Sequence, residues 1–279
     1  MKALYDVPAP AKLNLFLHVV GRRADGMHLL QSVFMLIDWC DTLHFERRDD
    51  GTIRRSDLSV QLPDNDLIVR AASALQGATG TRYGVHVSVD KRVPSQAGMG
   101  GGSSDAASTL LALNRLWGLN LPLAALTRIG LSLGADVPFF LGGHNAWVEG
   151  VGQAITPIQI APARFVVLKP RMGLETARIF SAPDLRRDTE TATIMGFAAD
   201  PFGFGRNDLE PVARRLCPGV TQALDWLEGR GLHGRMTGSG SAVFARVDDD
   251  PELARIDGAF EARLCRNLDH HPLSGWALQ

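Results

Sequence analysis

Hydrophobic and polar residues alternate along residues 8–20, PAPAKLNLFLHVV. A period of two indicates a β-strand, because successive side chains of a strand point to opposite faces. One face carries Leu13, Leu15, Leu17 and Val19, and the other carries Lys12, Asn14, Phe16 and His18. On such a strand the Lys12 and Asn14 side chains project side by side, roughly 7 Å apart. The strand therefore presents a lysine and an amide at either a solvated edge or the rim of a site.

A valine-rich stretch and an amphipathic stretch flank the segment 94–105, PSQAGMGGGSSD. Valine alternates with polar residues over 85–90 and predicts a strand, while apolar residues from Ala106 to Trp117 recur at helical spacing. Four of the five residues 98–102 are glycine, which allows tight bending and exposes backbone N–H groups. We therefore expect an ordered turn between a strand and a helix rather than a flexible linker.

The start of the following helix predicts an anion site. Ser103 or Ser104 can cap this helix, and its first-turn amides and dipole point at whatever anion the glycine turn holds. No lysine follows the last glycine, so the segment differs from the GxxxxGK[ST] loop. The pattern predicts a phosphate-binding loop, with a plain helix cap as the alternative.

One acidic side chain lies at a junction between elements. Apolar spacing predicts a helix from Pro122 to Gly134, and Asp136 follows two residues later, ahead of Pro138. Aspartate among apolar residues is rarely buried without a partner. Asp136 is therefore either the cap of a short turn at Pro138 or a functional acid, and the local sequence leaves both open.

Strands and helices are intermixed in both halves of the chain, without an internal repeat. Asn65 can cap a helix with the buried stripe Leu67, Ile68, Ala71, Ala72 and Leu75. The later predicted elements are a strand at 165–168, a short helix at 174–180, helices near 207–217 and 219–229, a hairpin at 234–245 and a last helix over roughly 251–264. Glycines near 150–152 with Pro157 indicate a domain boundary, and the irregular segment 183–206 is the best candidate for a mobile loop.

Composition narrows the class of protein. The 279 residues are 45% hydrophobic with a formal net charge of -1, which allows a large core and argues against a broad basic surface for nucleic acid. Cys40, Cys217 and Cys265 are widely spaced and predict free thiols in a reducing compartment. No apolar run reaches about 18 residues and no apolar signal core opens the chain, so we expect a cytoplasmic protein without a membrane segment. The pair His270-His271 lacks partners at metal spacing and is expected to be solvated.

Three separated motifs occur in order along the chain: PAPAKLNLFL, P-x3-GMGGGSSDAA and RMTGSGSAVFA. Together they resemble the GHMP kinase superfamily. The stretches AKLNLFLHVVGRRADGMH, LGADVPFFLGGHNAWVEGVG, GLETARIFSAPDL and NDLEPVA resemble its branch that acts on a cytidine diphosphate-linked methylerythritol. The match runs in order over nearly the whole chain, so it is far more specific than a single glycine motif.

The resemblance implies an α+β chain with the two-domain GHMP kinase fold. The N-terminal domain, residues 1–153, would be similar to the second domain of ribosomal protein S5, and residues 154–279 would form a ferredoxin-like α/β sandwich. The active site would lie in the cleft between them. The implied reaction transfers the ATP γ-phosphoryl group, with Mg²⁺, to the 2-hydroxyl of 4-diphosphocytidyl-2-C-methyl-D-erythritol in the non-mevalonate isoprenoid pathway.

The resemblance also implies roles for individual residues. Lys12 falls on the catalytic lysine and Asp136 on the catalytic aspartate, which would act as general base on the acceptor hydroxyl with Lys12 assisting. The expected ATP-binding residues are Pro94, Ser95, Gln96, Ala97, Gly98, Met99, Gly100, Gly101, Gly102, Ser103 and Ser104, with Lys91 and Asp66 near the nucleotide. The expected substrate-binding residues are Asn14, Met27, His28, Thr176 and Phe180, and Gly238 and Gly240 would support the site. No residue is assigned to Mg²⁺.

One position departs from the pattern of the family. An aromatic pair and a histidine would hold the cytosine ring; Phe180 and His28 match, but Met27 stands where a tyrosine is usual. A thioether can pack on a pyrimidine but lacks the ring quadrupole and the hydroxyl. Cytosine is therefore expected to bind more weakly or in a different position.

Two other readings remain at this point. The chain could be another GHMP kinase with a homoserine or mevalonate-type acceptor, although such acceptors need no base pocket of the kind that His28 and Phe180 suggest. A non-enzymatic nucleotide- or RNA-binding protein is also conceivable, but the chain lacks basic tails. We expect a small-molecule substrate, no nucleic acid or membrane partner, and a monomer or homodimer.

Overall fold

The computed structural model describes residues 1–249 and 258–278. The strands of this part of the chain are β1 (Ala3–Arg22), β2 (His28–Arg48), β3 (Ile53–Asp57), β4 (Gly84–Asp90), β5 (Ala146–Gly150), β6 (Ala154–Pro157), β7 (Arg164–Pro170), β8 (Arg235–Met236), β9 (Val243–Val247) and β10 (Phe260–Arg266). The helices are α1 (Leu67–Thr79), α2 (Gly101–Leu116), α3 (Leu123–Leu133), α4 (Val137–Gly142), α5 (Thr176–Phe180), α6 (Ile194–Ala199), α7 (Glu210–Leu216) and α8 (Pro218–Glu228). The mixture of elements confirms the expected α+β class.

The first sheet has the order β3-β4-β2-β5-β6, and β1 pairs antiparallel with β2. Helix α2 packs on β1 and β2, and α1, α3 and α4 pack around it. Strand β6 pairs with β5 from Ala146↔Pro157 to Glu149↔Ala154, so the first sheet extends to Pro157. The division of domains after residue 153 stays a prediction.

The second sheet has the order β10-β7-β9-β8, with every pair antiparallel. Side chains of β7 alternate between its two faces: Val166 and Leu168 join the core beneath α7 and α8, whereas Phe165 and Val167 face the first sheet. The two sheets therefore pack face to face between two layers of helices. Val33, Met35 and Ile37 of β2 meet this second sheet.

Strand β1 departs from strict alternation after Asn14. Its register against β2 shifts between Asn14 and Leu17. As a result Phe16 joins Leu13 and Leu15 in the core between the sheets instead of sharing the face of Lys12. Lys12 itself is only 4% exposed, so the solvated-edge alternative is wrong.

The chain end contradicts two sequence-based expectations. Residues 260–266 are strand β10, paired with β7, where the end of a helix was expected. The part of that predicted helix before residue 258 lies outside the described residues. Pairing with the open edge of β7 outweighs the weak helical pattern. His271 is buried rather than solvated, since the segment after β10 returns to the first sheet and packs Leu273 into its core. Burial lowers the pKa of His271 to about 4.

Two helix starts also differ from expectation. Helix α1 is capped by Asp66, whose carboxylate accepts a hydrogen bond from the Val69 amide (3.1 Å), and not by Asn65. Helix α2 begins at Gly101 after Gly100, with no side-chain cap, so Ser103 and Ser104 lie inside its first turn. The left-handed conformation of Gly100 (φ 71°) ends the loop directly in the helix, which leaves no place for a serine cap.

Three further observations bear on the expectations. The segment 183–206 contains helix α6 and buries Leu185, Thr189 and Phe197, whereas most of its other residues are exposed, and its mobility stays a prediction. The cysteines are free, as predicted, and burial raises the pKa of Cys265 to about 12. In the described ranges, no helix combines the length and apolar character needed to cross a membrane.

Candidate active site

Lys12 lies at the centre of the candidate site. Its amide donates a hydrogen bond to the carbonyl of Met99 (3.0 Å), which joins β1 to the glycine loop. Its Nζ donates to Asn14 Oδ1 and lies 4.7 Å from the centroid of the Phe34 ring. Burial lowers the pKa of the Lys12 amine, and the nearby charge of Asp136 offsets part of that effect.

Asp136 faces Lys12 from the start of α4. Its Oδ2 lies 4.0 Å from Lys12 Nζ, and its side chain is 32% exposed. Although Asp136 occupies the N-cap position of α4, its side chain makes no capping hydrogen bond. The carboxylate is therefore available to a ligand, which favours the functional reading over the cap.

Asn14 is held in one orientation by a network of hydrogen bonds. Its Nδ2 donates to Ser32 Oγ (2.8 Å), and Ser32 Oγ donates in turn to the carbonyl of Phe16. The backbone amide of Asn14 donates to Thr237 Oγ1 (2.9 Å) from the β8–β9 loop. This network directs the Asn14 oxygen at the Lys12 amine.

The glycine loop passes directly beside this lysine. Gly98 and Gly100 both have positive φ (74° and 71°), a region that side chains disfavour. A Cβ at Gly100 would lie 3.0 Å from the Phe140 ring and 3.4 Å from Lys12 Cε. The loop can therefore approach the lysine only with glycine at this position.

The β8–β9 loop holds the glycine loop through backbone hydrogen bonds. The amides of Ser241 and Ala242 donate to the carbonyls of Gln96 and Ala97, each at 3.2 Å. A Cβ at Gly238 would lie 2.6 Å from the carbonyl oxygen of Gly98, so the two backbones are in direct contact. The three sequence motifs thus converge on one place.

A single cleft of about 1290 Å³ contains nearly all of the expected site residues. It is lined by Lys12, Asn14, Met27, His28, Asp66, Lys91, Pro94, Ser95, Gln96, Ala97, Gly98, Met99, Gly100, Gly101, Gly102, Ser103, Asp136, Thr176, Phe180, Gly238 and Gly240. Ser104 does not line it. Its side chain is fully buried and its amide donates to the Gly100 carbonyl (2.9 Å), so Ser104 supports the helix instead of facing the cleft.

Lys91 and Asp66 line the cleft but are already engaged with protein groups. Lys91 Nζ donates to the carboxylates of Asp41 and Asp105. Burial alone would lower the pKa of Lys91, but these two carboxylates outweigh it and raise the pKa. Asp66 pairs with Arg55 Nη1 (2.8 Å) as well as capping α1. Both residues therefore stabilise the walls of the cleft in addition to any contact with a ligand.

The far end of the cleft carries the expected base-binding side chains. The rings of His28 and Phe180 lie 5.0 Å apart, inclined by 38°. Met27 is 52% exposed beside them. Thr176 Oγ1 and Ser239 Oγ share a hydrogen bond (2.6 Å), which links α5 to the β8–β9 loop.

Several residues that shape the site had no assigned role from the sequence. Asn207 Nδ2 donates to the carbonyls of Met236 and Gly238, both at 2.8 Å, and so fixes the β8–β9 loop. Thr237, Ser32 and Ser239 hold Asn14 and Thr176. The motifs NDLEPVA and RMTGSGSAVFA contain most of these residues, but only the fold shows which atoms they contact.

The comparisons with known proteins agree with this geometry. Residues 66–144 match the GHMP kinases N terminal domain, and residues 185–264 match the GHMP kinases C terminal domain. A 4-diphosphocytidyl-2-C-methyl-D-erythritol kinase of Albidiferax ferrireducens is 67% identical over 278 residues, covering 100% of this chain and 97% of that one. One from Polaromonas naphthalenivorans is 65% identical, covering 99% and 97%.

A solved structure gives the same result for the fold. The crystal structure of a 4-(cytidine 5'-diphospho)-2C-methyl-D-erythritol kinase superposes with a TM-score of 0.81 at 32% identity, covering 93% of this chain and 98% of that one. The identities to the curated relatives extend over the whole chain, including both halves of the cleft. The chain therefore belongs to the GHMP kinase family, in the branch whose members are named 4-diphosphocytidyl-2-C-methyl-D-erythritol kinase.

Proposed function

We propose that this chain transfers the γ-phosphoryl group of ATP to the 2-hydroxyl of 4-diphosphocytidyl-2-C-methyl-D-erythritol. The observation that carries the proposal is the pairing of Lys12 and Asp136 at 4.0 Å beside the glycine loop, in a cleft large enough for two ligands. The names of relatives at 65–67% identity support the choice of acceptor.

The chemistry of this pair suits an alcohol acceptor. A hydroxyl is a poor nucleophile, and a carboxylate within hydrogen-bond reach can take its proton as it attacks phosphorus. Asp136 is accessible for that role, and the buried Lys12 amine can stabilise negative charge on the acceptor oxygen and the transferring phosphoryl group. Asn14 orients Lys12 and does not need to touch the acceptor to do so.

The glycine loop suits the phosphates of ATP. Its residues from Gly98 to Ser103 line the cleft, and the positive-φ glycines bring backbone N–H groups close to a bound anion. The N-terminus of α2 adds its dipole at the same place. Lys91 and Asp66 would border the nucleotide at the outer end of this loop.

The residues present also fit Mg²⁺. This ion takes oxygen ligands and is usually held by substrate phosphates, water and one or two protein groups. The Ser103 hydroxyl and the Asp136 carboxylate both line the cleft near the loop, and within residues 1–249 and 258–278 there is no cluster of three or more metal-ligating side chains. When bound to ATP phosphates, Mg²⁺ would neutralise charge during transfer.

The other end of the cleft suits a pyrimidine. His28 supplies a polar ring beside Phe180, and Met27 offers an apolar surface where relatives of this branch are expected to carry an aromatic ring. Thr176 and Ser239 lie between the base end and the phosphate end. The acceptor would therefore lie along the cleft with its hydroxyl toward Asp136.

A ³¹P NMR assay with a panel of acceptors tests the proposal. The protein, ATP and Mg²⁺ are incubated with 4-diphosphocytidyl-2-C-methyl-D-erythritol, homoserine or mevalonate under identical conditions. We expect a new phosphomonoester signal and ADP with the cytidine substrate alone. Asp136→Asn should abolish the signal while Asp225→Asn, at an exposed position on α8, should not. Phosphorylation of homoserine or mevalonate in preference to the cytidine compound would contradict the proposal.

A further inference from the structure

Arg187 links the two expected base-binding residues, although no sequence motif pointed to it. Its Nε donates to His28 Nε2 (3.0 Å). Its Nη2 donates to the carbonyls of Phe180 (3.2 Å) and Ala182 (2.7 Å), and its Nη1 donates to the carbonyl of Leu185 (2.9 Å). The guanidinium is thus fixed by the chain that follows α5 and directs its Nε at the imidazole.

The chemistry of arginine determines the state of that imidazole. A guanidinium has five N–H donors and no acceptor, so any nitrogen that it contacts has to accept. His28 Nε2 therefore carries a lone pair, and a neutral ring then carries its proton on Nδ1. In the part of the chain that the structure describes, Nδ1 makes no hydrogen bond to protein, and His28 lines the cleft.

We infer that Arg187 is a positioning residue that holds His28 as the neutral Nδ1–H tautomer and so presents a fixed hydrogen-bond donor to the pyrimidine in the cleft. The inference rests on the proposed function, because it concerns recognition of the cytidine end of that acceptor. Cytosine has two neighbouring acceptors, N3 and O2, whereas uracil carries a proton on N3. A fixed donor directed at N3 therefore favours cytosine over uracil, whereas O2 accepts in both bases.

The charges around His28 support this state. Burial lowers the pKa of His28, and the positive charges of Arg187 and Arg22 lower it further. Both arginines come from segments that pack against the ring, one after α5 and one at the end of β1, where Arg22 Nε also donates to the Gly26 carbonyl (3.0 Å). Because burial and both arginines lower the pKa of His28 from 6.5, the ring stays neutral at neutral pH.

Long-range ¹H–¹⁵N NMR of the full-length protein tests the tautomer directly. The wild type should show His28 as Nδ1–H, and Arg187→Lys should retain it, because lysine is also a pure donor. Arg187→Gln should give a mixture of tautomers, since an amide can donate or accept. Arg186→Gln, at the exposed neighbouring position, is the matched control and should match the wild type. An Nε2–H tautomer in the wild type, or an unchanged tautomer in Arg187→Gln, would overturn the inference.

Kinetics separate this role from a purely structural one. Arg187→Gln should raise KM for the cytidine substrate about tenfold, the effect of losing one well-placed hydrogen bond, while KM for ATP and kcat change little. In a His28→Ala background the same substitution should have no further effect, because Arg187 would act through the missing ring. An equal loss in both backgrounds would show that Arg187 only holds the segment after α5. The NMR result needs no substrate, so failure of the phosphotransfer assay would not be mistaken for failure of this inference.

Discussion

The backbone amide of Lys12 donates a hydrogen bond to the carbonyl of Met99, so the first strand and the glycine loop meet at the lysine itself. Two residues further along the same strand, the amide of Asn14 donates a hydrogen bond to Thr237 Oγ1 of the β8–β9 loop. Three distant stretches of sequence are therefore connected through hydrogen bonds that the backbone amides of β1 donate. A ligand held by the loop must lie next to the Lys12 amine.

Replacement of Gly100 by valine should abolish ATP binding. Its φ of 71° is unfavourable for a branched side chain, and the added carbon would meet Phe140 at 3.0 Å. Isothermal titration with ATP should show no detectable binding. Gly77→Ala is a suitable control, since a Cβ there meets nothing within 4 Å inside α1 and alanine should raise stability by about 0.5–1 kcal/mol. Normal ATP titration by the valine variant would contradict the phosphate-loop assignment.

The pH dependence of kcat/KM should reflect the ionisation of the Lys12 amine. Because burial lowers the pKa of Lys12 below 10.5, the protonated amine is lost at lower pH than in an exposed lysine. Activity should therefore fall on the alkaline side with an apparent pKa below 10.5, and Lys12→Arg, if active, should move this limb to higher pH. Between the lowered pKa of Lys12 in the folded protein and 10.5 in the unfolded chain, the unfolded chain binds more protons. The contribution of Lys12 to the free energy of unfolding therefore rises with pH in that interval. If the loss of activity at alkaline pH occurs at the same pH in Lys12→Arg, another group is responsible for it.

Met27→Tyr should lower or leave unchanged KM for the cytidine substrate. The residue is 52% exposed and lines the cleft, so a larger ring has room and adds a stacking surface for the base. Steady-state kinetics at saturating ATP measure the change. Met172→Tyr, at an exposed methionine that does not line the cleft, is the matched control. A large increase in KM would show that Met27 does not face the base.

Acid should destabilise the protein through His271. Its pKa is about 4 in the folded state, against 6.5 for the unperturbed residue, so the unfolded chain binds the additional proton between these values. The contribution to stability is complete above pH 6.5 and declines as the pH falls toward 4, by about 3 kcal/mol in total. His271→Gln does not titrate, and its amide oxygen can replace Nδ1 as acceptor for the Leu273 amide.

The comparison that isolates His271 is the difference in Tm between variants as a function of pH. Relative to His271→Gln, the wild type should lose Tm as the pH falls from 7 to 5 (roughly the interval in which the unfolded histidine gains its proton). His270→Gln changes an exposed neighbour and should follow the wild type at every pH. Parallel curves for wild type and His271→Gln would contradict the burial argument.

The sequence predicted the parts of the fold that local pattern controls. The alternation in 8–20, the valine strand and the stripe of α1 correspond to β1, β4 and α1. The sequence-based predictions were wrong for features that depend on tertiary contacts. Strand β10 forms because it can pair with the edge of β7, and His271 is buried because the chain end packs on the first sheet. The shift in β1 after Asn14 depends on pairing with β2, which no single strand encodes.

The candidate site was predicted in a similar way. The glycine motif pointed to the phosphate loop and the family resemblance pointed to Lys12 and Asp136, and the structure brings them together. Ser104 was grouped with the loop by its position in the motif, but it lies in α2 with its side chain buried in the core. Arg187 and Asn207 act through backbone carbonyls and a ring nitrogen, and a sequence does not show such partners.

A double-mutant cycle at Lys12 and Asp136 tests the central claim most directly. Single-turnover rates with ATP and the cytidine substrate are measured for Lys12→Met, Asp136→Asn and the double variant, with Tm and ATP binding as checks of folding. If both groups act on one acceptor oxygen, each single change should lower the rate by about 10²-fold or more, and the double variant should lose little beyond the worse single variant. Near-normal turnover in Asp136→Asn, or fully multiplicative losses in the double variant, would contradict the account.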